Sequence, residues 1–132
     1  GLGLWDDLVI RKAEGELDYA MCANSTNSLG CLAASESAGR TDYKVFGIDD
    51  EADQLAALTK ENSIYYATVA QNPFEIGVQV MEAAVHAVEG QDDGIVKVDG
   101  ILVTRDTVQE YMANREKSLE ELKDYLAIIT AS

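Results

Sequence analysis

Apolar residues along the chain fall into two alternating patterns. Short continuous runs occur at Leu17 to Ala23 (LDYAMCA), Lys44 to Ile48 (KVFGI), Ser63 to Ala70 and Ile101 to Thr104 (ILVT). Runs of this length without a polar alternation read as strands buried on both faces. Between them, apolar residues recur at three- and four-residue steps, which is the period of a helix facing a core. Helices are expected at Trp5 to Glu14, Leu29 to Ala38, Glu51 to Thr59, Pro73 to about Gly90, and Asp106 to Ala127. Asp6 and Asp7 suit the start of the first helix, where the dipole favours carboxylates. Asp92 to Gly100 is a polar, glycine-flanked connection with room for a short strand at Ile95 to Val98. Strands alternating with helices predict an α/β fold, a parallel sheet covered on both faces with right-handed crossovers.

The length of 132 residues suits one domain with a real core. A formal net charge of -14 excludes nucleic acid and anionic membrane as natural partners, since both require a basic face. No apolar run approaches a membrane span, and no signal peptide is visible. Cys22 and Cys31 read as small core residues, one on a strand and one on the next helix, too far apart to bridge. Trp5 reads as a packing residue beside a helix start.

In open α/β sheets, ligands bind beyond the carboxyl ends of the strands. Strand 17–23 delivers Asn24 and Ser25 there, strand 44–48 delivers Asp49 and Asp50, and strand 63–70 delivers Gln71 and Asn72. A carboxylate accepts two hydroxyl protons, and an amide offers both a donor and an acceptor. Two amides and a carboxylate on one rim therefore suit a hydroxyl-rich ligand. Each residue alone reads equally well as a helix cap or turn residue, but three in succession favour a site. Pro73 then opens the helix that fixes the last strand tip. The chain carries no CxxC, HExxH, GxSxG or GxGxxG, and His86 lies mid-helix as a structural or exposed residue. These features support neither an enzyme nor a cofactor or metal.

Four segments in order, covering about residues 17 to 112, resemble one family. "LDYAMCANSTNSLGCLAASESAGR", "YKVFGIDDEADQLAAL", "NSIYYATVAQNPFEIGVQVMEAAVHAVEG" and "VDGILVTRDTVQEYM" are similar to the carboxyl-terminal lobe of type I periplasmic-binding-fold sugar-binding proteins, the ribose- and galactose-like group. The resemblance implies a three-layer α/β/α, Rossmann-like lobe spanning residues 1–132. It implies a solute-binding module that captures a sugar or similar polyhydroxyl molecule for an ABC-type transporter, in an extracytoplasmic setting as a periplasmic protein or cell-surface lipoprotein. Asn24, Asp49 and Gln71 fall on positions that hydrogen-bond sugar hydroxyls in such proteins. The implied partners are the ligand, an amino-terminal lobe absent from this chain, and a membrane permease or receptor. The alternative is a ligand-sensing domain of a membrane receptor or a LacI-like regulator. The segment "GRTDYKVFGID" lacks the proline usual in the repressors, which favours the transport branch.

The departures from the family pattern carry expectations of their own. Ser25 stands where an aspartate is usual, so one acceptor is lost. The first strands of the lobe are missing, which implies a fragment of a protein about twice as long. Strand 17–23 is then left with an open edge that another chain or the amino-terminal segment should cover, as in a homodimer. Residues 113–132 extend the last helix beyond the family pattern. Met112, Leu119 and Leu126, and likewise Arg115, Leu122 and Ile129, recur at heptad spacing, with Arg115 the charged intruder. The stripe is too short for a coiled coil and fits a helix packed on its own domain, the alternative being an association or connector helix.

Overall fold

The computed structural model describes the backbone of residues 2–130 and the side chains of residues 3–123. The elements run α1 (Leu2–Arg11), β1 (Tyr19–Met21), α2 (Ser25–Ser37), β2 (Lys44–Ile48), α3 (Ala52–Thr59), β3 (Tyr65–Ala70), α4 (Pro73–Val88), β4 (Ile101–Thr104) and α5 (Val108–Thr130). The alternating pattern thus becomes a mixed α/β lobe with one four-stranded sheet in the order β1-β2-β3-β4.

Local chemistry explains where the elements begin. Asn24 caps α2 by accepting the Asn27 N–H at 2.9 Å, so the helix starts at Ser25 rather than at Leu29. Glu51 and Gln54 form a reciprocal capping box at α3. Pro73 occupies the first turn of α4, where its missing N–H costs nothing. Helix α1 starts at Leu2, so Asp6 and Asp7 lie beyond its first turn.

The core lies between the sheet and α2 and α3. Val45, Tyr65 and Val103 are buried on one sheet face, against Cys31 and Ala34 of α2 and Leu55 and Leu58 of α3. Small inward residues on α2 (Ser28, Gly30, Cys31, Ala34 and Ser35) let that helix approach closely. Trp5 packs against this core, as expected. Arg40 ties α1 to it, donating to the carbonyls of Val9 at 2.9 Å and Lys12 at 2.6 Å.

Two details differ from the expected parallel sheet covered on both faces. First, β1, β2 and β3 pair in parallel, but β4 is antiparallel to β3. The stretch 89–100 forms no strand, including Ile95 to Val98. Such a stretch, at about 3.3 Å per residue, reaches roughly 40 Å. That is enough to return the chain past the strand's length, so β4 enters from the carboxyl end. Second, the other sheet face is apolar and open. Register places Met21 beside Phe46, and Ile48 beside Val69 beside Leu102, so these side chains share that face. Met21 is 70% exposed and Leu102 61%. Helix α4 buries none of its residues. A single helix is about 10 Å across, whereas four strands span roughly 15 Å or more, so one helix cannot close this face.

Helix α5 is continuous, as expected. Val108 and Tyr111 pack against the core, but Met112, Leu119 and Leu122 are exposed. Within the described part of the heptad stripe these three face solvent, while Arg115 turns back onto the domain at Asp50. The side chains of Leu126 and Ile129 lie outside the described residues.

Candidate functional site

The carboxyl ends of β1, β2 and β3 bring Asn24, Asp49 and Gln71 together, with Asp49 at the centre. One carboxylate oxygen of Asp49 accepts the Ser25 backbone N–H at 2.9 Å. That donor belongs to the first turn of α2, where the helix dipole stabilises a negative charge. The other oxygen accepts the side-chain amide of Gln71. The Asp49 backbone is held as firmly. Its N–H donates to Val69 O at 2.9 Å, and its carbonyl accepts the Thr68 hydroxyl at 2.6 Å.

This tight mooring holds Asp49 at φ 81°, a left-handed backbone conformation that non-glycine residues rarely adopt. Conformations of this kind persist only where surrounding bonds enforce them, and they gather at functional sites. Asn72, at φ 54°, makes a similar bend before Pro73 and turns the chain from β3 into α4.

Asp49 is half-buried, while Asn24 and Gln71 are exposed on the rim. The Asn24 side-chain oxygen serves as a helix cap, which leaves its amide nitrogen for a ligand. Both readings of Asn24, cap and rim residue, therefore hold at once. The rim thus presents amide donors around one carboxylate, which is already bonded to the Ser25 N–H and the Gln71 amide. This arrangement can exchange its internal hydrogen bonds for those of vicinal hydroxyls. It holds no nucleophile poised beside a base. Among the described residues, no three His, Cys, Asp or Glu side chains gather to hold a metal ion.

A concavity beside Asp49 and Gln71 is lined by Asp50 and Pro73, which the sequence pattern had placed there, and by Glu51, Ile76 and Arg115, which the strand-end pattern missed. Arg115 arrives from the third turn of α5. It donates to the Asp50 carbonyl at 2.7 Å and lies 3.5 Å from the Asp50 carboxylate. Tyr111, one turn earlier, donates its hydroxyl to the same carboxylate at 2.7 Å. Burial and this carboxylate both push the Tyr111 hydroxyl pKa upward, so it stays a donor. The signal in the sequence was Arg115 itself, the one charge interrupting the heptad stripe. His86 stands apart at the far end of α4, half-buried and paired with Asp93 at 2.8 Å.

Cys22 and Cys31 are both buried free thiols in the core, as expected of small core residues.

The fold is that of one lobe of a periplasmic binding protein. The periplasmic binding protein domain matches residues 6–92, and the chain belongs to that family. No curated protein matches it. Among solved structures, an ABC transporter solute-binding protein from Bacillus halodurans, with bound myo-inositol, is 28% identical with a TM-score of 0.71. The match covers 85% of this chain and 38% of that one. One from Agrobacterium vitis, with bound allitol, is 24% identical with a TM-score of 0.78, covering 86% of this chain and 40% of that one. The binding component of an arabinose ABC transporter from a Shewanella species is 19% identical with a TM-score of 0.72, covering 92% and 41%. This chain therefore spans about 40% of the length of these proteins.

Proposed function

We propose that residues 1–132 form one lobe of an extracytoplasmic solute-binding protein, which takes a sugar or similar polyol and passes it to a membrane ABC permease. The observation that carries this reading is the linked rim, in which Asp49 joins the ends of β1 and β3 through Ser25 and Gln71. Asn24, Asp49 and Gln71 are its ligand-binding residues. The polyols bound to the solved relatives support the ligand class, and the Bacillus halodurans protein supports it at 28% identity.

The lobe acts jointly with an amino-terminal lobe. Two observations support this: the chain spans about 40% of its structural relatives, and one sheet face is open and apolar. The open edge of β1 is the place where added strands, or a second copy of the chain, would pair.

One lobe offers a ligand only part of its hydrogen bonds, each contributing about 1 kcal/mol against competing water. The entropy cost of association consumes most of that. Binding of myo-inositol to the 132-residue chain should therefore be weak, about millimolar. In an NMR titration, the side-chain amides of Asn24 and Gln71 should shift in fast exchange, and Asp49→Ala should abolish the shift. Joining the chain to an amino-terminal lobe should tighten binding strongly. Shifts centred away from the rim would refute the site, and micromolar binding by the single chain would refute the two-lobe reading.

A further inference from the structure

Helix α4 is apolar on two opposite sides. On one side, Ile76, Val80 and Ala83 line a shallow concavity with Val96 and Val98 of the return stretch. On the other, Phe74, Val78, Met81, Val85 and Val88 face solvent, from 36% exposed at Phe74 to 90% at Val88. Steps of four, three, four and three residues set these five side chains in one line along the helix. A helix that is apolar on opposite sides is normally covered on both, yet α4 buries none of its residues. The chain as a whole exposes 9102 Å² at a mass of 14.3 kDa. A compact chain of that mass exposes roughly 6,800 Å². Helix α4 is one place where the excess lies.

We propose that this stripe is the interface of a two-fold dimer, in which α4 packs in parallel against α4 of a second copy of the chain. Val78 and Val85 alternate with Phe74, Met81 and Val88, and β-branched residues at every other core position suit two-stranded pairing. The flanks fix the direction. Glu75, Glu82 and Glu89 run along one side of the stripe, and Gly77 and Ala84 along the other. In an antiparallel pair each flank meets its own kind, so glutamate faces glutamate. In a parallel pair the glutamates face Gly77 and Ala84 of the second copy, which are small and neutral. Space is open there, with nothing within 4 Å of a Cβ built on Gly77. Chains with a net charge of -14 repel each other, so they must join through a face without charge, and the stripe has none.

Five side chains on each partner cover on the order of 1,000 Å² in total, the lower end for a specific interface. The helix is already formed within each lobe, so pairing does not have to nucleate it. Helix α4 starts at Pro73, two residues after Gln71. Parallel pairing therefore sets two rims at the same end of the helix pair. It uses none of Asn24, Asp49 or Gln71, and not the open edge of β1, so it stands independently of the sugar-binding reading.

Sedimentation velocity on the full chain is the test. At about 100 μM we expect a dimer that dissociates on dilution. Met81→Lys puts a charge at the centre of the stripe twice per dimer and should weaken association at least about 100-fold. Its circular dichroism and urea midpoint should match the parent, because α4 buries none of its residues. Val85→Lys should behave alike, whereas Met21→Lys, on the open sheet face, should leave the dimer intact. Added salt screens the repulsion between acidic chains and should tighten the dimer. Under oxidation Val88→Cys should link two chains, while the parent, whose own thiols are buried, should not. An antiparallel pair would instead set Val88 against Phe74. A monomeric parent overturns the proposal and leaves the stripe to a different partner, such as an amino-terminal lobe. A dimer that survives both lysine variants of α4, or is lost in Met21→Lys, places the association elsewhere and also overturns it. Weakening by salt would contradict an apolar interface, and a Val88→Cys dimer that never links would refute the parallel arrangement.

Discussion

Gly47 sits in β2 two residues before Asp49, under two side chains that have nowhere to go. A Cβ at this position would collide with the Tyr65 hydroxyl and lie 2.5 Å from the Ser28 hydroxyl. Both residues are fully buried. The Tyr65 hydroxyl also accepts from the Gln54 side-chain amide at 2.9 Å, and that amide holds the Ile48 carbonyl at 2.9 Å. The Ser28 hydroxyl donates to the Asn24 carbonyl at 3.0 Å. A methyl group here therefore presses on supports of both Asn24 and Asp49. Overpacking of this kind costs about 1–3 kcal/mol. Breaking the Gln54–Tyr65 bond adds about 1 kcal/mol. Gly47→Ala should thus lose roughly 2–4 kcal/mol, a large part of a stability of about 5–15 kcal/mol. The midpoint of thermal unfolding should fall by roughly 10 °C. Urea titration followed by far-ultraviolet circular dichroism measures the loss. The diagnostic arm is Tyr65→Phe, which removes the obstructing oxygen. Alone it should cost about 1 kcal/mol, but in the Gly47→Ala background it should recover at least about 1 kcal/mol. An alanine variant within about 0.5 kcal/mol of the parent, or no recovery in the double variant, would refute the steric account.

Two further outcomes follow from the contacts around the rim and α1. Tyr111→Phe removes the hydroxyl that grips Asp50 and should destabilise the lobe by about 1–1.5 kcal/mol in urea titration; an unchanged midpoint would show that α5 does not brace the rim. The Arg40 guanidinium, and then the Gly15 N–H, hold the Asp42 carboxyl well below the usual carboxylate range. A depressed carboxyl contributes stability above its unfolded pKa of about 3.9, and that contribution is lost as pH falls toward the folded value. Asp42→Asn should therefore flatten the decline of stability below about pH 4, and a parallel decline in both proteins would count against the pair.

Much of this protein is legible along the chain because it depends on local chemistry and period. Continuous apolar runs marked β2, β3 and β4 nearly to the residue, and Pro73 marked the start of α4. Asn24, Asp49 and Gln71 were accessible for a topological reason. In parallel βα units, every strand delivers the residue after it to the same rim, so proximity in space follows from position in sequence. Asn24, Asp49 and Gln71 thus converge although their separations along the chain are large.

What only the tertiary structure decided involves directions and partners that periodicity does not encode. An apolar run reads the same in either direction, so the reversal of β4 depended on how far the stretch 89–100 could carry the chain. The same run does not reveal whether a second layer exists to cover it. That is why the face carrying Met21, Phe46, Ile48, Val69 and Leu102 was expected to be buried and is open. Arg115 reached the rim only because α5 crosses beside Asp50, a contact between residues far apart in the chain. Local pattern set the elements and their order, and close packing, which depends on side-chain volume at every contact, set which of them touch.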